Sequence, residues 1–279
     1  MIKDLLLSLT GADGDDNALE AAVALAAGLD AHLCALVLLN LPVPLPGWGV
    51  IPDPATSRVH DDLREKARLH ADRVRQRLAR TGLSFEVRIA ESLFHEPPRI
   101  AAMHARFSDL VVMALDGGNE VRLADIRRHF ASLLMESGRP VLVVPPTCTV
   151  AVPIQHAMVA WRPTREASRA LHDALPLLQL AGSVDIVEVT PSGGDSGDGE
   201  LPGADIAAHL ARHGLKVRVV VLPRQDETVA VVLLRHAEQS GAQLLVAGGY
   251  GHSRLRQWAL GGVTRDLLPS ASLPVLFSH

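Results

Sequence analysis

The chain has 279 residues, a formal net charge of −4 and an isoelectric point near 6.3. This charge gives no electrostatic reason to expect nucleic acid as a partner, and the length suits two domains of common size. No apolar run has membrane-spanning length, and the first residues lack a signal-peptide core. The cysteines Cys34 and Cys148 lie far apart, without metal-ligand spacing, so we expect a cytoplasmic protein with no membrane partner.

The first half of the chain alternates short apolar runs with helix-like stretches. Residues 5–9 and 33–39 are typical of strands, and the alanine-rich residues 18–29 between them are typical of a helix. A proline-rich insertion follows at residues 42–54, where we expect a long loop that acts as a lid or packs on the rest of the chain. The charged residues 61–80 predict an amphipathic helix that turns four apolar side chains inward, namely Leu63, Ala67, Val74 and Leu78.

The second half repeats this order. Residues 157–161 and 184–189 are typical of strands on either side of a helix at 165–181. The apolar segment 108–112 has a counterpart at 242–246, an offset of 134 residues, and the same offset relates the apolar residues near 141 to those near 275. Alternating strands and helices predict parallel sheets. The sequence therefore predicts an α/β protein with two tandem doubly wound open parallel sheets and helices on both faces, divided into domains 1–147 and 148–279.

A glycine-rich stretch, Gly248 to Thr264, follows the apolar run 244–247. A short apolar run bounded by glycine is typical of a buried parallel strand. Gly261 and Gly262 then precede a new apolar-periodic segment that contains Val263, which predicts a helix. The first amides of a helix lack partners within it, and its start carries partial positive charge. This stretch therefore predicts an anion site made of strand, loop and helix start.

The glycine spacing of this stretch, Gly-x2-Gly-x9-Gly, resembles the ATP-binding loop of the universal stress protein family. Residues 263–268 followed by 274–276 also resemble that family's last helix and strand. The resemblance implies five strands per domain in the order 3-2-1-4-5, and a ligand crevice beside the loops after strands 1 and 4. It implies that the second domain binds ATP or a related adenine nucleotide, with Mg²⁺ as the accompanying ion. The nucleotide-binding residues expected from the loops are Arg162, Thr164, Val189, Gly248, Gly251, His252, Ser253, Arg254, Gly261, Gly262, Val263 and Thr264.

Two of these positions depart from the family pattern. Gly262 stands where members that bind ATP usually have Ser or Thr, and Arg162 stands where they commonly have aspartate. Arg162 either pairs with phosphate or points to solvent. Thr164 is placed to cap the helix that begins at residue 165, and the backbone near Val189 would read the adenine edge.

The first domain has lost the glycine loop. Asp116 and Glu120 follow its fourth strand, where they would repel a triphosphate, so we expect at most one nucleotide per chain. His209 and His213 have a spacing that can hold zinc, but no third ligand is evident in the sequence, and a solvated helix face is favoured.

The function that follows is that of a tandem universal stress protein acting as a stress-response module. The alternative is a scaffold or small-ligand protein of the same fold without nucleotide, and slow ATP hydrolysis ranks third because no catalytic base is evident. The apolar strands at 141–144 and 275–277 would be exposed edges in separate halves. We therefore expect the halves to form an intramolecular pseudo-dimer, and a homodimer of the chain stays open.

Overall fold

The computed structural model describes residues 1–42, 54–93, 96–115, 120–191, 203–250 and 262–279. Strands and helices alternate along these residues. The strands are β1 (Asp4–Leu9), β2 (His32–Asn40), β3 (Phe85–Ser92), β4 (Leu110–Ala114), β5 (Val141–Val144), β6 (His156–Ala160), β7 (Ser183–Pro191), β8 (Val217–Arg224), β9 (Leu244–Gly248) and β10 (Val275–Ser278). The helices are α1 (Asp15–Leu29), α2 (Pro54–Leu78), α3 (Pro97–Ala105), α4 (Glu120–Ser137), α5 (Arg165–Leu178), α6 (Ala204–Arg212), α7 (Val229–Ser240) and α8 (Gly262–Ser270).

The strands form one ten-stranded sheet in the order β3-β2-β1-β4-β5-β10-β9-β6-β7-β8. Within each half the five strands are parallel and follow the predicted order 3-2-1-4-5. The halves meet where β5 and β10 run antiparallel, with Val275 opposite Val143 and Phe277 opposite Val141. The two apolar strands that the sequence marked as exposed edges are therefore paired with each other.

Helices cover both faces of the sheet, as predicted. Side chains from α1, α2, α5 and α6 pack in one apolar core, and side chains from α3, α4, α7 and α8 pack in the other. Both cores extend across the two halves. The inner strands β4 and β5 are buried at every residue, because a parallel strand with helices on both sides turns no side chain to water.

Three helix boundaries differ from the prediction by three residues or more. α1 begins at Asp15 rather than at residue 18, and acidic residues in a first turn are favourable because they face the positive end of the helix. α2 begins at Pro54 rather than at residue 61, and proline is well tolerated at the first helical position. α5 ends at Leu178, three residues before the predicted end. The proline-rich insertion therefore ends in a helix, and its residues 43–53 lie outside the described part of the chain.

The segment between β5 and β6 is tied to α1. The side-chain amide of Asn17 donates hydrogen bonds to the carbonyl of Pro145 at 2.9 Å and to the carbonyl of Cys148 at 2.5 Å. The predicted domain boundary at residue 147 falls in this segment and stays a prediction. Among the described residues no helix is both long enough and apolar enough to cross a membrane.

Candidate functional site

The loops after β6 and β9 lie side by side at one edge of the sheet. β6 and β9 are neighbouring parallel strands, with Ala157 opposite Leu244 and Val159 opposite Val246. Their carboxyl ends therefore lead into α5 and α8 at the same edge, where ligands of doubly wound sheets bind. The fold thus gathers Arg162, Thr164, Gly248 and Gly262 there, although the sequence separates them.

Gly248 is in direct contact with the first turn of α5. A Cβ atom at this position would lie 2.8 Å from the backbone nitrogen of Ala167 and 2.8 Å from the carbonyl carbon of Glu166. Backbone atoms cannot move aside as a flexible side chain can. Glycine is therefore required here for the close approach of the two loops rather than for a left-handed turn.

The loop after β6 contributes a helix cap and an exposed cation. The backbone N–H of Ala167 donates to the Thr164 hydroxyl oxygen at 3.3 Å, so Thr164 has the capping role that its position suggested. Arg162 is exposed, and the described residues offer its guanidinium no hydrogen-bond or ion-pair partner. Val189 lies further along the sheet on β7, half-buried and opposite Leu222 of β8.

The first residue of α8 is exposed, whereas the next two are packed against their neighbours. Gly262 is exposed, and a Cβ atom there would meet no atom of the described residues within 4 Å. The first turn of α8 contains no acidic residue. Val263 is half-buried, and Thr264 is buried, with its hydroxyl oxygen accepting a hydrogen bond from the Tyr250 N–H at 3.4 Å. The Thr264 hydroxyl therefore links α8 to Tyr250 at the entry of the glycine loop, and its predicted contact with phosphate stays a prediction.

Five predicted site residues lie outside the described part of the chain, namely Gly251, His252, Ser253, Arg254 and Gly261. Tyr250, which borders them, was missed. Its backbone is left-handed, with φ of 57°, and its ring stacks on Phe130 of α4 at a centroid distance of 6.2 Å. Burial raises the pKa of the Tyr250 phenol to about 12. The available signal was that the only tyrosine of the chain follows two glycines.

In the equivalent crevice of the first half, the Asp15 carboxylate binds backbone amides of the loop after β1. Asp15 accepts hydrogen bonds from the backbone N–H groups of Thr10 at 3.0 Å and Gly11 at 2.7 Å. Burial raises the pKa of Asp15 to about 6, although these hydrogen bonds act in the opposite direction. Glu120 opens α4 and adds a second acidic side chain at this edge, while Asp116 lies outside the described residues. Two backbone donors of the loop after β1 are therefore already engaged.

A buried polar pair lies beside this crevice. Ser8 on β1 and His129 on α4 are both buried, and the Ser8 oxygen is 2.8 Å from the His129 Nε2 atom. Burial lowers the pKa of His129 to about 4, so the imidazole is neutral at physiological pH. The pair satisfies two polar groups inside the core.

The second half also contains a buried carboxylate at the amino ends of its strands. Asp185 on β7 accepts from Arg218 Nε at 3.0 Å and Nη2 at 2.5 Å, and from His236 at 3.3 Å. His156 lies 3.4 Å away from the same carboxylate. Burial alone raises the pKa of Asp185, but these partners together outweigh burial and hold it below its usual value. This cluster is at the opposite edge of the sheet from the crevice.

The structure brings a third histidine to the pair noted in the sequence. His172 of α5 and His209 of α6 have ring centroids 5.2 Å apart, and His209 and His213 have centroids 4.7 Å apart. In the parts of the chain that the structure describes, no three His, Cys, Asp or Glu side chains are arranged to hold a metal ion.

Comparison with known proteins links the chain to one family. The profile of the universal stress protein family matches residues 153–279. A universal stress protein from Synechocystis sp. is 36% identical over 67 residues, which are 24% of this chain and 22% of the length of that protein.

Two solved structures align with nearly the whole chain. A universal stress protein from Archaeoglobus fulgidus has a TM-score of 0.75 at 18% identity, over 99% of this chain and 95% of that one. A functionally unknown protein from Pseudomonas aeruginosa PAO1 has a TM-score of 0.62 at 15% identity, over 99% and 92%. At these identities the two structures show a shared fold. Residues 153–279 therefore match the universal stress protein family by sequence, and the whole chain shares the fold of these two solved structures.

Proposed function

We propose that the chain is a stress-response module that binds one ATP or related adenine nucleotide in its second half. The observation that carries this proposal is the contrast between the two crevices. In the second half, α8 begins at an exposed glycine, Gly262, and its first turn has no acidic residue; no atom of the described residues lies within 4 Å of a Cβ built there. In the first half, Asp15 occupies the loop amides and Glu120 begins the equivalent helix.

The proposed contacts follow from what is open in the second crevice. The first amides of α8, at Gly262 and Val263, would donate to phosphate oxygens, as helix starts commonly do. Arg162 is exposed and would supply a guanidinium to the same phosphates. The backbone near Val189 would face adenine, and Mg²⁺ would enter on the phosphates, since this ion is usually bound through them. We assign no catalytic residue.

We also propose that the two halves act as an intramolecular pseudo-dimer in the cytoplasm. Leu142 of β5 lies opposite Leu276 of β10, and these leucines occupy equivalent places in the two halves. A residue that pairs with its own counterpart is the mark of an isologous contact, in which both partners use the same surface. This register supports a chain that imitates a symmetric dimer.

Isothermal titration of the full chain with ATP and Mg²⁺, together with native mass spectrometry of the purified protein, tests the proposal. We expect one nucleotide per chain. Two equivalent sites would show that the first crevice also binds, and the absence of any nucleotide would favour the scaffold alternative.

The sharpest variant is Gly262→Asp. Among the described residues no atom lies within 4 Å of a Cβ atom built at this position, so there is room for a side chain. An aspartate would accept the helix-start amides and repel phosphate, so ATP affinity should fall by about tenfold or more, about 1.4 kcal/mol. The matched control is Gly262→Ala, which adds a methyl group without charge and should keep affinity within about twofold. Equal affinities of the two variants would place the phosphates elsewhere.

A further inference from the structure

The entry of the glycine loop is held by groups from both halves of the chain. The backbone N–H of Gly249 donates to the Ser278 carbonyl at 2.8 Å, and the Gly249 carbonyl oxygen is 3.0 Å from the His279 Nδ1 atom. A Cβ atom at Gly249 would lie 2.5 Å from the Leu134 Cδ2 atom, so α4 of the first half presses directly on this backbone. Gly249 is therefore held by contacts with Ser278, His279 and Leu134 at the entry of the loop.

The next residue, Tyr250, is fixed by its ring. Phe130 lies on α4 and is fully buried, and it makes a stacked contact with Tyr250 and an edge contact with Phe277 at a centroid distance of 5.1 Å. Paired aromatic rings are worth about 0.5–1.5 kcal/mol beyond the area that they bury. The Tyr250 ring therefore packs against an aromatic side chain that the first half of the chain supplies.

This ring contact matters because the Tyr250 backbone is strained. A left-handed φ of 57° is unfavourable for a residue with a Cβ atom, and it persists only where surrounding contacts impose it. In the same conformation the Tyr250 N–H donates to the Thr264 hydroxyl in the first turn of α8. The ring contact, the left-handed turn and the link to α8 therefore form one connected arrangement.

We infer that Phe130 is a positioning residue for the nucleotide site of the other half. It would act through Tyr250 and Thr264, which set the entry of the glycine loop against the start of α8. This inference rests on the proposed function, and it adds that nucleotide binding in the second half depends on a side chain of the first. The ring contacts of Phe130 are with Tyr250 and Phe277, neither of which is a predicted nucleotide-binding residue.

The test compares ATP affinities of full-length variants. Phe130→Leu removes the aromatic ring contact and should weaken ATP binding by about tenfold, because the loop entry must then be ordered when the nucleotide binds. Tyr250→Leu should weaken it by a similar factor, and the double variant should lose little more, since both changes break one contact. Tyr250→Phe keeps the ring and should retain affinity within about twofold.

Leu133→Ala separates positioning from simple loss of stability. Leu133 is fully buried on the same helix, and its truncation leaves a cavity in the same core. It should lower the unfolding temperature at least as much as Phe130→Leu while leaving ATP affinity within about twofold of the parent. If both variants weaken ATP binding equally, Phe130 has only a packing role and the inference is overturned.

A second readout needs no nucleotide. The chain has one tyrosine, so its ionisation in the ultraviolet spectrum reports Tyr250 alone. In Phe130→Leu the phenol should titrate below the parent, towards the ordinary value near 10, whereas Leu133→Ala should leave it unchanged. If the parent binds no ATP, the proposed function fails, and an unshifted phenol in Phe130→Leu separately overturns the positioning role.

Discussion

Two buried ionisable side chains of the first half respond to acid in opposite directions. Asp15 has its pKa raised to about 6, so the folded state favours its neutral form and this contribution to stability falls as pH rises from about 4 to 6. His129 has its pKa lowered to about 4, so the unfolded chain takes up its proton first, and stability falls as pH drops from about 6.5 to 4. Within this window the two effects oppose each other.

Single substitutions should separate the two effects. Asp15→Asn removes the gain on acidification, so this variant should lose more stability than the parent between pH 6.5 and 4. His129→Gln removes the destabilisation that His129 causes on acidification, so this variant should lose less stability than the parent over the same pH range. Each difference should be on the order of 2 kcal/mol, because one pKa unit corresponds to about 1.4 kcal/mol. Urea unfolding of the full chain at several pH values measures both differences. If both substitutions change the pH dependence of the unfolding free energy in the same direction, the opposite roles of Asp15 and His129 are contradicted.

At the scale of elements, Asp185 links three strands, near their amino ends, to helix α7. Its carboxylate on β7 contacts Arg218 on β8, His236 on α7 and His156 on β6. The carboxylate is 2% exposed, whereas the Arg218 side chain is 65% exposed. Removing one partner of a buried charge leaves that charge uncompensated, which is more destabilising than losing a surface ion pair.

Arg218→Met should therefore destabilise the chain by about 2 kcal/mol, less than for a fully buried pair because water reaches the guanidinium and two histidines remain. Asp185→Asn in the Arg218→Met background should recover part of this loss, since no buried charge then remains. Lys216→Met is the matched control, because Lys216 lies on the same surface and has no ion-pair partner among the described residues. Equal losses for the two methionine variants would show that Arg218 acts as an ordinary surface cation.

The elements could be predicted from the sequence to different degrees. The runs at residues 5–9 and 244–247 became strands within one residue of the prediction, because buried parallel strands are apolar throughout. The starts of α1 and α2 were missed because their first turns are polar and carry no apolar period.

The candidate site was predictable only where it depends on local chemistry. The cap at Thr164 follows from residue type and position alone. The contact between Tyr250 and Phe130 joins segments from opposite halves of the chain, and no local pattern records such a contact. The hydrogen bond from the Tyr250 N–H to the Thr264 hydroxyl joins residues 14 positions apart, and no local pattern records it either.

At the scale of the whole molecule, the junction of β5 and β10 makes one sheet out of two. Each strand is buried at all four residues and would be an unpaired apolar edge without the other. Leu142 lies opposite Leu276, and the flanking pairs Val275 with Val143 and Phe277 with Val141 are symmetric about them. The edge strand of each half therefore has a side-chain pattern that suits pairing with the other half and also with the same strand in a second copy.

This symmetry predicts the behaviour of the halves when they are made separately as residues 1–147 and 148–279. Each should form a homodimer or aggregate, because pairing two copies of β5, or two copies of β10, satisfies the backbone groups of the open edge in the same register. The intact chain is the control, since its edges are paired internally. Light scattering after size-exclusion chromatography measures the mass of each half, and circular dichroism confirms that it is folded. Two folded, monomeric halves would show that the junction is dispensable and would contradict the pseudo-dimer.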